Sequence, residues 1–332
     1  MSRPLRVAVV GAGPAGIYAS DLLVKSGQDV AIDLFERMPA PFGLIRYGVA
    51  PDHPRIKGIV KSLHAVLDKP EIRLLGNIEI GKDITVDELR EFYDAIIFST
   101  GATGDKELRI QGSDLQGSHG AGEFVGFYDG NPDFSRTWDL TAEKVAVIGV
   151  GNVALDVARI LAKTADELKV TEIPDNVYEN LGRSAVKEVH VFGRRGPAQA
   201  KFTPLELKEL DHSENVEVIV DPEDIDYDEA SEQARRDSKS VDLVCQTLEN
   251  YAIREPKGAQ HKLFLHFFES PVEILGEDGR VVGLKTERTE LDGTGNVRGT
   301  GKFTTWDAQA VYRAVGYRSE AVEGVPFDAE RA

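Results

Sequence analysis

The chain has 332 residues, 41% of them hydrophobic and 29% charged, which suits a globular protein with room for two domains. Its 56 acidic against 39 basic residues give a formal net charge of −17, which argues against general nucleic-acid affinity. No apolar run is long enough to cross a membrane and the first strand starts within a few residues of Met1, so a cytoplasmic location is the default expectation.

The first predicted element is a short apolar run from Leu5 to Val10, rich in β-branched residues and suited to a buried parallel strand. Gly11, Gly13 and Gly16 follow at G-x-G-x-x-G spacing. The first glycine permits a tight turn, the second lets backbone approach a pyrophosphate, and the third lets the next helix pack closely on the strand. That helix, Pro14 to Ser26, presents its N-terminus to the phosphates, so Gly11, Gly13, Ala15 and Gly16 are candidate cofactor contacts. A second strand, Val30 to Phe35, ends in Glu36, twenty positions beyond Gly16, where a carboxylate would accept hydrogen bonds from ribose hydroxyls.

Residues Arg37 to Pro54 carry four prolines and two glycines, which favours a long ordered loop over a helix and suggests contact with a ligand or partner. A helix is expected from about Arg55 to Leu67, within a stretch where Arg46, Arg55, Lys57, Lys61 and Lys69 face only Asp52 and Asp68. Short extended pieces follow at Ile72 to Leu75 and Asn77 to Ile80, then a buried strand from Asp94 whose end at Thr100-Gly101 could meet a cofactor.

The glycine device recurs. Val145 to Ala154 repeats Val7 to Gly16, with Gly149 and Gly151 in place and Ala154 at the tolerated third position, before a helix from Leu155 to Ala162. Lys163 to Ser184 reads as a surface insertion. The next strand, Val186 to Phe192, ends in Gly193-Arg194-Arg195 in place of a carboxylate. Two guanidiniums there would bind the 2′-phosphate of NADP, which a carboxylate would repel. The first site should then take FAD or NAD and the second NADP, a pairing expected of a flavoenzyme that receives hydride from NADPH.

Beyond the arginines come a short helix from Pro204 to Asp211, a strand from Val216 to Val220 and an acidic surface segment from Asp221 to Asp237. Cys245 stands alone, so this chain holds no disulfide framework, Cys-x-x-Cys pair or cysteine-ligated iron–sulfur cluster; a buried structural thiol is expected. Lys262 to Phe268, Val281 to Arg288 and Phe303 to Arg313 alternate apolar and polar residues as half-exposed antiparallel strands do. Ala314 to Arg318 loosely echoes Ser99 to Ala102 before a polar coil.

From Arg6 to about Asp328 the sequence resembles the adrenodoxin-reductase-like ferredoxin–NADP reductases of mitochondria and actinobacteria. The resemblance is carried by the segments 41–54 (Pro-Phe-Gly-Leu-Ile-Arg-Tyr-Gly-Val-Ala-Pro-Asp-His-Pro), 151–159, 193–197 and 202–206. It implies an α/β fold of two Rossmann-like dinucleotide-binding domains, three-layered with mostly parallel sheets, the NADP domain inserted in the FAD domain. The expected boundaries are 1–104 for the first part of the FAD domain, 105–318 for the NADP domain, and 319–332 for the start of a return to the FAD domain. By the same resemblance Glu36, Leu44 and Ile80 lie at FAD, and Asn152, Val153, Arg194, Arg195 and Glu206 at NADP. Lys106 occupies a position that is commonly arginine, keeping the charge but not the bidentate fork. His53 and Glu206 fall where the family places polar groups near flavin and nicotinamide. Without the resemblance, His53 would read as a structural histidine between prolines and Glu206 as an exposed helix residue.

The family also carries a C-terminal Gly-Trp-x-x-x-Gly-Pro motif over the flavin, and no tryptophan follows Trp306 here, so the sequence is read as lacking that part. The implied activity is electron transfer from NADPH through FAD to a ferredoxin, docking near Arg46, Arg55, Lys57 and Lys61. An NADP-binding module without turnover, or a diaphorase acting on small acceptors, is the alternative; no metal is expected.

Overall fold

The alternation of buried apolar runs with amphipathic segments produces two α/β units in the computed structural model, which describes residues 3–329. Residues up to 104, together with those from 317 onward, form one unit, and 105–316 form the other.

In the first unit the elements are β1 (Leu5–Val10), α1 (Pro14–Lys25), β2 (Val30–Glu36), α2 (Leu44–Tyr47), α3 (Pro54–Lys57), α4 (Val60–Leu67), β3 (Ile72–Gly76), α5 (Val86–Phe92) and β4 (Ala95–Phe98). The four strands are all parallel, in the order β3-β2-β1-β4. Val10 pairs with Phe35 on one side and Phe98 on the other, so three strands end together beside Gly11. Ile17, Leu34, Phe42 and Leu63 form one core cluster; Ala8, Val10, Phe35, Val86 and Leu89 form another, which also takes in Ile80 and packs Val322 and Val325. Thr85 and Glu88 close a reciprocal capping box that starts α5.

The single helix expected from Arg55 to Leu67 is two helices. The chain tightens at Gly58, where Ile59 N–H donates to Ile56 O at 3.2 Å, and glycine lacks the helical bias to carry α3 into α4. Lys57 and Lys61 therefore sit on different helices.

The chain leaves this unit at β5 (Gly104–Asp105). The second unit then runs β6 (Ser118–Gly120), α6 (Ala121–Tyr128), β7 (Lys144–Ile148), α7 (Asn152–Ala162), α8 (Ala165–Leu168), α9 (Asp175–Leu181) and β8 (Glu188–Phe192). It continues through α10 (Pro204–Glu209), β9 (Val216–Val220), α11 (Glu229–Asp237), α12 (Lys239–Ile253), β10 (His261–His266), β11 (Glu269–Glu277), β12 (Arg280–Leu291), β13 (Val297–Asp307) and β14 (Ala310–Arg313). The chain returns at β15 (Tyr317–Arg318). The two ends of the second unit meet, Lys106 N–H donating to Gly316 O at 2.8 Å. Its main sheet has six parallel strands in the order β6-β14-β7-β8-β10-β9, and β11-β12-β13 form a separate antiparallel sheet.

One stretch expected to be a half-exposed antiparallel strand is not, and another is one only in its first part, 303–307. Residues 261–266 form β10, a parallel strand inside the main sheet. Its alternation reflects two kinds of packed layer, since Leu263 and Leu265 are buried while His266 lies against Trp306 and Phe264 against His190, with ring centroids 4.4 and 4.5 Å apart. The run 303–313 divides at Ala308 between β13 and the parallel strand β14. There the Gln309 side chain accepts the Lys144 N–H at 2.9 Å and binds the switch to the main sheet. Cys245 is fully buried on α12, and burial raises its thiol pKa. Among the described residues, no helix is long and apolar enough to cross a membrane.

Candidate functional site

Each unit builds a glycine turn at the end of its first long strand. Gly11 has φ +102, and a Cβ there would lie 2.4 Å from Ser99 O. A Cβ on Gly16 would fall 2.0 Å from Gly11 O. Those two positions are thus reserved for the protein's own packing. Gly13, the N-cap of α1, differs: its φ is −74, and a Cβ would meet nothing nearer than Gly43 Cα at 3.8 Å. No side chain caps α1, and Ala15 is exposed in its first turn, so the positive helix end is presented at the strand ends.

Glu36 is buried, and its carboxylate ties the turn together. One oxygen accepts Ala12 N–H at 2.9 Å and the other Met38 N–H at 3.0 Å. Each oxygen keeps a second acceptor position. The proline-rich loop folds onto this turn, with Phe42 N–H donating to Ala12 O at 2.8 Å. Phe42 holds φ +93 while fully buried, a conformation L side chains rarely adopt, and places Gly43 beside Gly13. Leu44 follows, half-exposed at the start of α2. Ile80 is part of the core cluster with Val10 and Phe35. His53 is buried at the N-cap of α3, its carbonyl accepting Lys57 N–H at 3.1 Å.

Sequence reasoning missed Ser99, whose Oγ bonds Val10 O and Gly11 O at 3.0 Å each, and Phe42, which anchors the loop. A serine after a strand and a phenylalanine between proline and glycine carry no distinctive signal. The basic stretch is less open than its sequence suggests. Lys57 is buried with Nζ donating to Ile45 O at 3.4 Å, and Arg46 Nε donates to Pro41 O at 3.0 Å. Arg55 and Lys61 remain exposed, as do the apolar Leu44, Ile56 and Ile59.

In the second unit Gly149 has φ +135, and a Cβ there would lie 2.2 Å from Ala314 O. Gly151, the uncapped N-cap of α7, has nothing within 4 Å of its Cβ position. Ala154 is fully buried under the turn, while Asn152 and Val153 are partly exposed. Asn152 Oδ1 accepts Thr203 N–H at 2.9 Å, and Val150 O accepts Lys201 N–H at 2.8 Å, clamping the segment before α10 onto the glycine turn. The pairing of Ile148 with Phe192 sets Gly149 beside Gly193, so Arg194 and Arg195 emerge next to the turn. Arg194 is exposed and Arg195 half-buried. Lys106 is exposed at the start of the unit.

Glu206 is buried, only 5% exposed, against the surface position its sequence context alone suggests. It belongs to a charged group under α7: Arg159 Nη2 bonds Asp156 Oδ1 at 2.7 Å, and Nη1 lies 3.9 Å from Glu206 Oε2. Burial without charge compensation would be costly, so the arginine explains how two carboxylates sit there.

A family profile described as pyridine nucleotide-disulphide oxidoreductase matches residues 5–192. The chain is 42% identical over 342 residues to the NADPH-ferredoxin reductase FprA of Mycobacterium tuberculosis, covering 98% of this chain and 73% of that protein. It is 37% identical over 340 residues to the mitochondrial NADPH:adrenodoxin oxidoreductase of Arabidopsis thaliana, covering 98% and 70%. The solved structure of Mycobacterium tuberculosis FprA in complex with NADPH superposes with a TM-score of 0.94 at 41% identity, over 99% of this chain and 74% of that one.

Proposed function

Because the chain belongs to the pyridine nucleotide-disulphide oxidoreductases, and among them to the NADPH–ferredoxin and adrenodoxin reductases, we propose that it passes electrons from NADPH through FAD to a ferredoxin. The observation that carries this reading is the contrast between two otherwise similar turns. After the second strand, one carries the buried carboxylate of Glu36 and the other the guanidiniums of exposed Arg194 and half-buried Arg195. A carboxylate favours a ribose with free hydroxyls, as in FAD; paired arginines favour a 2′-phosphate. The missing dithiol agrees, since one cysteine cannot relay electrons as a disulfide reductase does.

The residues fit both groups. The bare main chain at Gly13 and Gly151, each at an uncapped helix N-terminus, with open space over Gly151, suits a pyrophosphate. FAD, when bound, supplies the step between a two-electron hydride donor and one-electron carriers, so one NADPH reduces two ferredoxins and releases NADP⁺ and a proton. The chain's own part is binding and placement. Glu36 selects and orients the first ribose, Arg194 and Arg195 hold the 2′-phosphate, and Asn152 fixes α10, which carries Glu206. By the family resemblance His53 and Glu206 stand near flavin and nicotinamide, Leu44 and Ile80 near FAD, and Val153 and Lys106 near NADP.

Docking is assigned to the exposed cations Arg55 and Lys61 with the apolar Leu44, Ile56 and Ile59. A ferredoxin is typically acidic, and a chain of net charge −17 needs a local reversal of sign to receive it. The test is anaerobic turnover with NADPH, comparing a ferredoxin with a neutral quinone in protein that shows flavin absorbance. Quinone reduction without ferredoxin reduction would favour a diaphorase, and protein that binds NADP⁺ but never flavin would favour a module without turnover.

A further inference from the structure

The guanidiniums of Arg194 and Arg195 form no hydrogen bond or ion pair among the described residues, yet the main chain that carries them is held from several directions. Gly193 N–H donates to His266 O at 2.8 Å, Glu269 N–H to Gly193 O at 3.0 Å, and Phe268 N–H to Arg195 O at 3.2 Å. All three come from the corner between β10 and β11, where Phe268 holds φ +57. The Arg194 carbonyl is held differently, by a side chain: Thr289 Oγ1 donates to it at 2.7 Å.

Thr289 lies on β12 and is 7% exposed, and its own N–H donates to Phe268 O at 2.8 Å. The β12–β13 ladder shifts register between Glu287 and Thr289. Beside it, Arg288 bonds Asp224 Oδ1 at 2.5 Å and Phe267 O at 3.1 Å, while Asp224 Oδ2 accepts Phe267 N–H at 2.9 Å. One short piece of β12 thus braces both the β10–β11 corner and the arginine loop.

We propose that Thr289 is a positioning residue for recognition of the nucleotide 2′-phosphate, its hydroxyl fixing the Arg194 carbonyl and so the aim of both guanidiniums. The proposal rests on the assignment of Arg194 and Arg195 to that phosphate. Bidentate guanidinium contacts are directional, and a recognition group must be held to within about 0.5 Å of its working geometry. The ordinary alternative is a buried threonine that merely satisfies its hydroxyl; it predicts a loss of stability with no preference among nucleotides.

Binding of 2′,5′-ADP and of 5′-ADP to the full chain, titrated in parallel, separates the two. In Thr289→Val the 2′,5′-ADP affinity should fall about fivefold, the scale of one net hydrogen bond, while 5′-ADP affinity stays within about twofold. Thr289→Ser, which keeps the hydroxyl, should restore the parent selectivity; Thr289→Ala serves as a second hydroxyl-free variant if valine crowds the site. Arg194→Gln/Arg195→Gln is the reference for full loss of discrimination. Equal weakening of both nucleotides by the hydroxyl-free variants, or no weakening, overturns the role of Thr289 while leaving the arginine assignment intact. Discrimination that survives in the double arginine variant overturns that assignment and the proposal with it.

Discussion

Adding one methyl group to each of four glycines should separate folding from nucleotide binding. In Gly16→Ala the new Cβ would sit 2.0 Å from Gly11 O and 2.6 Å from Ser99 Oγ, so strand and helix must part. Overpacking of this kind costs about 1–3 kcal/mol or more. Gly149→Ala meets Ala314 O at 2.2 Å and also forces a side chain into φ +135. Strain of about 1–3 kcal/mol adds to the overpacking, giving a loss of roughly 2–6 kcal/mol. Gly13→Ala and Gly151→Ala have ordinary φ values of −74 and −111, and no contact nearer than 3.8 Å. They should lose no more than about 1 kcal/mol, the difference between glycine and alanine at an N-cap. Each would nevertheless put a methyl where the pyrophosphate meets the helix amides, and loss of one such charge-assisted bond costs about 1.5–3 kcal/mol, or roughly ten- to a hundredfold in affinity. Urea unfolding without nucleotide gives the first quantity; flavin titration for Gly13→Ala and NADP⁺ titration for Gly151→Ala give the second. Parent affinity in either of these two variants would refute the idea that backbone meets phosphate there.

Replacing Arg194 and Arg195 together by glutamine should weaken NADPH binding by about two orders of magnitude, with NADH little changed, if each guanidinium contributes roughly 1.5 kcal/mol; competition titration reads both. Charge reversal at Arg55 and Lys61 should slow ferredoxin reduction and flatten its salt dependence, because steering acts on association and is screened over a Debye length of about 8 Å. Neutral quinone reduction is the control, and equal falls in both rates would place docking elsewhere. Burial, helped by the neighbouring His190 and the Arg288 charge, holds the His266 imidazole down to about 3. Its folded value lies below the unfolded one of about 6.5, so the unfolded chain takes up the proton first as pH falls. Stability should be full above that value and decline from there towards pH 3, by up to about 1.4 kcal/mol per pH unit for this group. His266→Phe should flatten that decline in unfolding titrations.

Both glycine turns, the strands leading into them and the charge after each second strand are legible in the sequence because backbone geometry there admits few residues. A glycine at φ +102 or +135 leaves a mark that spacing alone reveals. What sequence could not supply was the second layer of packing. β10 reads as half-exposed because His266 looks polar, whereas the Trp306 ring packs against it on the sheet face. Glu206 reads as a surface residue because its compensating Arg159 lies 47 positions earlier in the chain. The break between α3 and α4 falls at Gly58, a residue of low helical propensity. Ser99 and Thr289 act through main-chain carbonyls that any residue could offer, so their partners leave no trace in residue identity.

The hydrogen bond that joins Lys106 to Gly316 gives the second unit the ends of a cassette. A host chain needs only two neighbouring attachment points to accept such a piece, and the entropy lost in bringing its ends together is already recovered within the piece itself. On the proposed assignment of Arg194 and Arg195 to the 2′-phosphate, exchange of the whole 105–316 segment for one carrying a different loop after β8 should change the nucleotide preference while the host chain keeps its two attachment points.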